Sequence, residues 1–165
     1  MKYKESYQRL LEKVLKLAEA YYKDRLISFV LFGSVARDSF RPDSDIDILI
    51  VAEPLPQGRI RRVEEFVNNV ERQLEDDLRE LEGQGIYPFL SPIFKTPEEV
   101  KRGSPLFLDM IYDAKILFDK GGFFRRYLEG LRERLKALGA KRVFRGSGWY
   151  WILKPDYRFG ERIEL

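Results

Sequence analysis

Residues 31–50 read LFGSVARDSFRPDSDIDILI, and two features of that stretch set the architecture. An apolar, partly β-branched run from Leu26 to Phe32 ends at Gly33-Ser34 and reads as a buried strand. Ten residues later Asp45-Ile46-Asp47-Ile48-Leu49-Ile50 reads as a second strand. Side chains alternate along a strand, so Asp45 and Asp47 share one face about 6–7 Å apart at Cα, while Ile46, Ile48 and Ile50 share the other. Two like charges held together on a half-buried strand stay ionised at low cost only with a cation between them. A hard divalent metal such as Mg²⁺ suits carboxylate oxygens and keeps positions open for phosphate oxygens. Gly33-Ser34 lies where a strand turns into a helix N-terminus. Unpaired backbone N–H groups there attract anions, and glycine lets a phosphate come close to the backbone. Ser34 adds a hydroxyl, and Arg37 one turn on adds a charge that either contacts phosphate or pairs with Asp38 or Asp43. An anion cradle beside a metal-holding carboxylate pair is a site for a nucleoside triphosphate.

The rest of the chain reads as one α/β domain. Apolar residues at three- and four-residue steps predict helices over 5–22 and 60–81, the second closing near Gly83 and Gly85. Residues 86–94 have strand character, but Pro88 and Pro92 confine that strand to an edge or a bulge. Thr96-Pro97-Glu98-Glu99 reads as a helix start with proline at the first position. A helix over 106–112 and a strand over 115–118 follow. Then comes a basic helix, 123–138, between the Gly121-Gly122 pair and Gly139, with short strands at 143–144 and 149–153. The expected division is a core over 1–119 and a helix-and-strand extension over 120–165 on the same domain.

Composition narrows the chemistry. The chain has 165 residues, 44% apolar and 35% charged, with neither cysteine nor histidine. Disulfides, thiolate nucleophiles, zinc sites of the usual ligands and imidazole bases are therefore excluded. No apolar run approaches the roughly 20 residues of a membrane span, and the charged start does not read as a signal peptide, so the expected location is the cytoplasm. Abundant Lys, Arg and Glu with no Cys suit a thermophile. Glu64–Glu82 carries a net charge of −6 and Arg125–Arg145 a net of +6. The basic stretch is either a surface for nucleic acid or an acidic partner, or a solvated face paired with the acidic helix.

The pattern Phe32-Gly33-Ser34, ten residues, Asp45-Ile46-Asp47-Ile48, with Arg37 and Ser44 in place, resembles the nucleotidyltransferase superfamily that includes DNA polymerase β. The small size is similar to its minimal members, some of which act as antitoxins for HEPN-domain partners. The resemblance implies an α/β (α+β) polymerase-β-like fold, a small mixed sheet flanked by helices. It implies that Asp45 and Asp47 are the catalytic and metal-binding residues in a two-metal Mg²⁺ site. Gly33, Ser34, Arg37 and Ser44 are then nucleotide-binding, with ATP the expected donor of a nucleoside monophosphate.

One part of the family pattern is missing. A third carboxylate is expected on the strand at 86–94, and that strand has no Asp or Glu. Ser91 stands about where the acid belongs, and a serine hydroxyl neither holds Mg²⁺ strongly nor takes a proton near neutral pH. Glu98, Glu99, Asp109 and Asp113 are the carboxylates left to fill the gap. Three readings stay open: an enzyme with an unidentified acceptor (protein, RNA or small molecule), a weak or inactive nucleotide-binding partner of another chain, and a nucleic-acid-binding module. The third rests on the aromatic, basic C-terminus, where Trp149, Tyr150, Trp151, Tyr157 and Phe159 either stack on bases or pack the core.

Overall fold

A computed structural model describes residues 2–165. The helix α1 (Lys2–Tyr22) leads into β1 (Leu26–Phe32), the one-turn helix α2 (Gly33–Ala36) and β2 (Asp45–Ala52). Then follow α3 (Arg59–Asn69), α4 (Glu75–Gly83), β3 (Phe89–Lys95), α5 (Pro97–Arg102), α6 (Met110–Asp113), β4 (Lys115–Asp119) and α7 (Phe123–Leu138). A separate hairpin, β5 (Lys141–Arg145) and β6 (Gly148–Ile152), comes last. The main sheet has the order β3-β2-β1-β4, with β1 antiparallel to both neighbours and β2 parallel to β3. It is the small mixed sheet that the family resemblance implies. Strand β3, with Pro88 just before it and Pro92 within it, is indeed at an edge.

Helices cover both faces of the sheet, the layered solution that buries a sheet on two sides. Ile46, Ile48 and Ile50 are fully buried against Tyr7, Leu10 and Val14 of α1 and Phe66 of α3. On the other face Val30, Leu49 and Val51 meet Val100, Phe107, Met110 and, from α7, Phe124, Leu131 and Leu135. Asp119 fixes the start of α7, because its carboxylate accepts from Ser28 Oγ at 2.7 Å and from the Phe124 and Arg125 amides at 2.9 and 3.0 Å. That satisfies two of the orphan donors of a helix N-terminus.

The structure corrects three expectations. The helix predicted over 60–81 breaks at Val70 (φ −123°, ψ −61°) into α3, a 3₁₀ turn and α4. Phe66, Val70 and Leu74 keep a spacing of four and are all fully buried, so the apolar pattern runs straight through the break. Asn69 and Gln73 side-chain amides donate to the carbonyls of Glu65 and Asn69, both at 2.8 Å. Such local bonding of Asn competes with the helix ladder. The helix predicted over 106–112 is a 3₁₀ turn followed by the short α6. Finally, the acidic and basic helices lie on opposite faces of the sheet and do not pair: Asp77 of α4 meets Lys13 of α1 at 2.7 Å. Among the described residues no helix is long and apolar enough to cross a membrane.

Candidate active site

The two aspartates sit where β2 enters the sheet. Asp45 is exposed and Asp47 half-buried, while every residue from Ile48 to Ala52 is buried. Asp47 pairs across the antiparallel ladder with Phe32, the residue before Gly33. Gly33 has φ +76°, a left-handed conformation that glycine adopts without penalty. A Cβ on Gly33 would overlap Asp47 Oδ2 and lie 3.1 Å from its Cγ. Glycine is therefore required twice here, for the turn and for the approach of the turn to the carboxylate.

Burial pushes the Asp47 carboxyl upward, the neighbouring Asp45 adds to the rise, and Arg37 works against it. A carboxylate made costly by its surroundings is one that a cation relieves. Arg37 follows α2 and carries the compensating charge on the protein side. It pairs with neither Asp38 nor Asp43. Its Nη1 lies 3.8 Å from Asp113 Oδ2, and its guanidinium lies over the Trp149 ring, 4.9 Å from the centroid. Asp38 instead pairs with Lys4 at 3.1 Å and Asp43 with Arg41 at 3.7 Å.

No side chain caps the N-terminus of α2, so amides of the Gly33-Ser34 turn are left for other acceptors. With only one turn the helix contributes little dipole, and the attraction for an anion rests on those amides, the Ser34 hydroxyl and Arg37. The Ser44 Oγ accepts from the Arg41 amide at 2.8 Å and closes the turn that enters β2. Helix α1 holds this turn from behind. Tyr7 donates to the Ser44 carbonyl at 2.7 Å and Tyr3 to the Phe40 carbonyl at 3.0 Å, with the Phe40 ring packed against both. Burial, with Asp43 and Asp45 nearby, pushes the Tyr7 hydroxyl up to about 12. It is a fixed donor.

Ser91 stands directly beside Asp47, its register partner in the parallel β2–β3 ladder, and partners in such a ladder project to the same face. The alternative carboxylates are committed elsewhere. Glu99 completes a capping box with Thr96 and pairs with Arg62 at 2.7 Å, and Glu98 pairs with Arg102 at 3.1 Å. Asp113 pairs with Arg142 at 3.0 Å. Asp109 Oδ1 accepts from both indole N–H groups, Trp149 and Trp151, each at 2.8 Å. Among the described residues no three carboxylates gather closely enough to hold a metal ion. The donor set near Gly33 is thus two aspartates, which fits Mg²⁺, an ion commonly bound by one or two carboxylates with water and substrate phosphates completing its shell.

The hairpin contacts were not legible from the motif. Of the two readings of the C-terminal aromatics, base stacking or core packing, neither names Asp109 or Arg37 as what Trp149 and Trp151 meet.

Comparison with known proteins agrees with this geometry. The family model for nucleotidyltransferase domains matches residues 11–117, which span β1 through most of β4. A putative protein adenylyltransferase of Methanocaldococcus jannaschii is 31% identical over 134 residues, 78% of this chain and 83% of that protein. A solved toxin–antitoxin structure with AMP-PNP shares the fold, with TM-score 0.50 and 19% identity over 76% of this chain and 89% of that one. The family match covers more than half of the chain and includes the turn at Gly33 and the strand that carries Asp45 and Asp47. The chain belongs to the nucleotidyltransferase domain family and is an enzyme of that family.

Proposed function

We propose that this chain is a Mg²⁺-dependent adenylyltransferase that moves AMP from ATP to a hydroxyl group of a protein, releasing pyrophosphate. The observation that carries the reading is the approach of the Gly33 turn to Asp47, which puts an anion-binding backbone against a carboxylate that favours a cation. The choice of ATP and of a protein acceptor is supported by the 31% identical relative, itself named a putative protein adenylyltransferase. A second chain as partner is supported only by fold, through the toxin–antitoxin structure.

In this reading the amides at Gly33-Ser34, the Ser34 hydroxyl and Arg37 orient the β- and γ-phosphates, and Asp45 and Asp47 hold Mg²⁺. Bound there, Mg²⁺ supplies Lewis-acid polarisation of the phosphoryl oxygens and offsets charge on the leaving pyrophosphate. The acceptor oxygen forms its bond to the α-phosphorus as the bond from that phosphorus to the α,β-bridging oxygen breaks, and that oxygen leaves with pyrophosphate. Holding these partners in line is the main contribution of such a site. Ser91 offers no base for the departing hydroxyl proton, so turnover is slow unless the acceptor or a partner chain accepts it.

Incubation with α-labelled or γ-labelled ATP and a cell extract tests the reading. It requires label from the α position alone, in material destroyed by protease. Label destroyed by ribonuclease would remove the protein acceptor, and transfer of the γ-label would remove nucleotidyl transfer altogether.

A further inference from the structure

Arg37 is held by parts of the chain that lie beyond the family match. Trp149, whose ring carries the Arg37 guanidinium, is on β6, and Arg142 is on β5, both outside residues 11–117. The Trp149 ring is held both by the neighbouring Phe144 ring, 5.9 Å between centroids, and by its N–H, which donates to Asp109 Oδ1 at 2.8 Å. Trp151 shares that same oxygen, and Arg142 binds Asp113 Oδ2 at 3.0 Å and lies 3.5 Å from Asp109 Oδ1. The Arg142 guanidinium is also within 4.6 to 5.0 Å of the Tyr112, Phe144 and Trp149 rings. The hairpin is thereby locked onto the segment 109–113.

This network has a consequence for Arg37. Asp113 is 13% exposed, and a lone arginine beside it would close into a short, bidentate pair. Arg142 takes that carboxylate first. Arg37 is left at 3.8 Å, beyond hydrogen-bond distance, with no side-chain hydrogen bond among the described residues and its guanidinium 4.9 Å over the Trp149 ring. A guanidinium held over an indole by the cation–π attraction keeps its N–H donors available for an anion.

We infer that the C-terminal hairpin is part of the nucleotide site: Trp149 and Arg142 are positioning residues that keep Arg37 aimed at the triphosphate. This rests on the reading of Arg37 as a phosphate contact. A hairpin that merely packs on the domain would have no such effect on phosphate recognition.

Binding of ATP and of adenosine, measured by calorimetry with Mg²⁺, separates the two. Trp149→Leu is expected to weaken ATP binding about tenfold and leave adenosine unchanged, while Trp149→Phe, which keeps a ring face, stays within about threefold of wild type. Arg142→Gln is expected to weaken ATP as well, since Asp113 is then free to capture Arg37. Adding Asp113→Asn to Arg142→Gln should restore it, a rescue that a packing role does not allow because the double variant removes more contacts. An unchanged ratio of ATP to adenosine affinity in Trp149→Leu, or a double variant worse than Arg142→Gln, overturns the inference and leaves the proposed function standing. Failure of the wild type to bind ATP overturns both.

Discussion

Gly33 and Asp47 meet so closely that glycine alone fits: a Cβ at residue 33 would overlap Asp47 Oδ2. The contact joins the end of β1 to the start of β2 and explains why the Gly-Ser turn and the aspartate strand occur together. Gly33→Ala adds about 1–2 kcal/mol of backbone strain at φ +76° and displaces the carboxylate. We expect transfer to fall by about a hundredfold, the usual scale for misplacing a reacting group by an ångström, with a smaller loss of melting temperature. Turnover near wild type in Gly33→Ala would mean that Asp47 does not need its observed position.

Ser91 is the register partner of Asp47 and shares its face. Ser91→Asp would place a third carboxylate beside the pair. Without divalent cation it should lower the melting temperature through like-charge repulsion, and with Mg²⁺ the loss should disappear. Transfer should rise at least about tenfold, since a positioned general base contributes about 10²–10⁴. A slower variant whose melting temperature ignores Mg²⁺ would show that residue 91 is not at the metal.

Glu99 supplies a pH-dependent part of the stability. Burial works against its charge, but hydrogen bonds from Arg62 and Thr96 prevail and hold its carboxyl below the usual value of 4.5. A carboxyl lowered in the folded state stabilises the fold above its ordinary value and loses that contribution as pH falls through the folded one. Glu99→Gln should cost about 1–3 kcal/mol at pH 7, because it leaves the buried Arg62 charge unpaired. Thermal melts of both proteins should converge as pH drops below 4.5. A gap that stays constant with pH would contradict the ion-pair account.

Tyr7 and Tyr22 of α1 are both buried and differ in one respect. Tyr7 donates to the Ser44 carbonyl, while Tyr22 is the one side chain among the described residues whose buried polar atom has no partner. Tyr22→Phe should therefore leave stability unchanged or raise it. Tyr7→Phe should cost about 1 kcal/mol and slow transfer by loosening the turn before Asp45. The reverse order of melting temperatures would refute this assignment.

The candidate site is legible in the sequence because its pieces are local. Strand alternation put Asp45 and Asp47 on one face, and Gly33-Ser34 ended a strand whose partner came within a dozen residues. The edge position of β3 followed from Pro88 and Pro92, which cannot serve a central strand. The break at Val70 was hidden because apolar residues keep helical spacing across it. The surroundings of Arg37 were hidden for another reason. Asp113 and Trp149 are far away in sequence, and charge patterning favoured the nearby Asp38 and Asp43.

The central claim is that Asp45 and Asp47 carry a nucleotidyl transfer. Its most direct measurement is pyrophosphate release from ATP with Mg²⁺ and acceptor extract, comparing wild type with Asp45→Asn/Asp47→Asn and checking by circular dichroism that the variant is folded. The account predicts release by the wild type, matched by label transfer from the α position, and a loss of at least about a thousandfold in the folded variant, given how much of phosphoryl-transfer catalysis is charge stabilisation. Equal release by both proteins would contradict it.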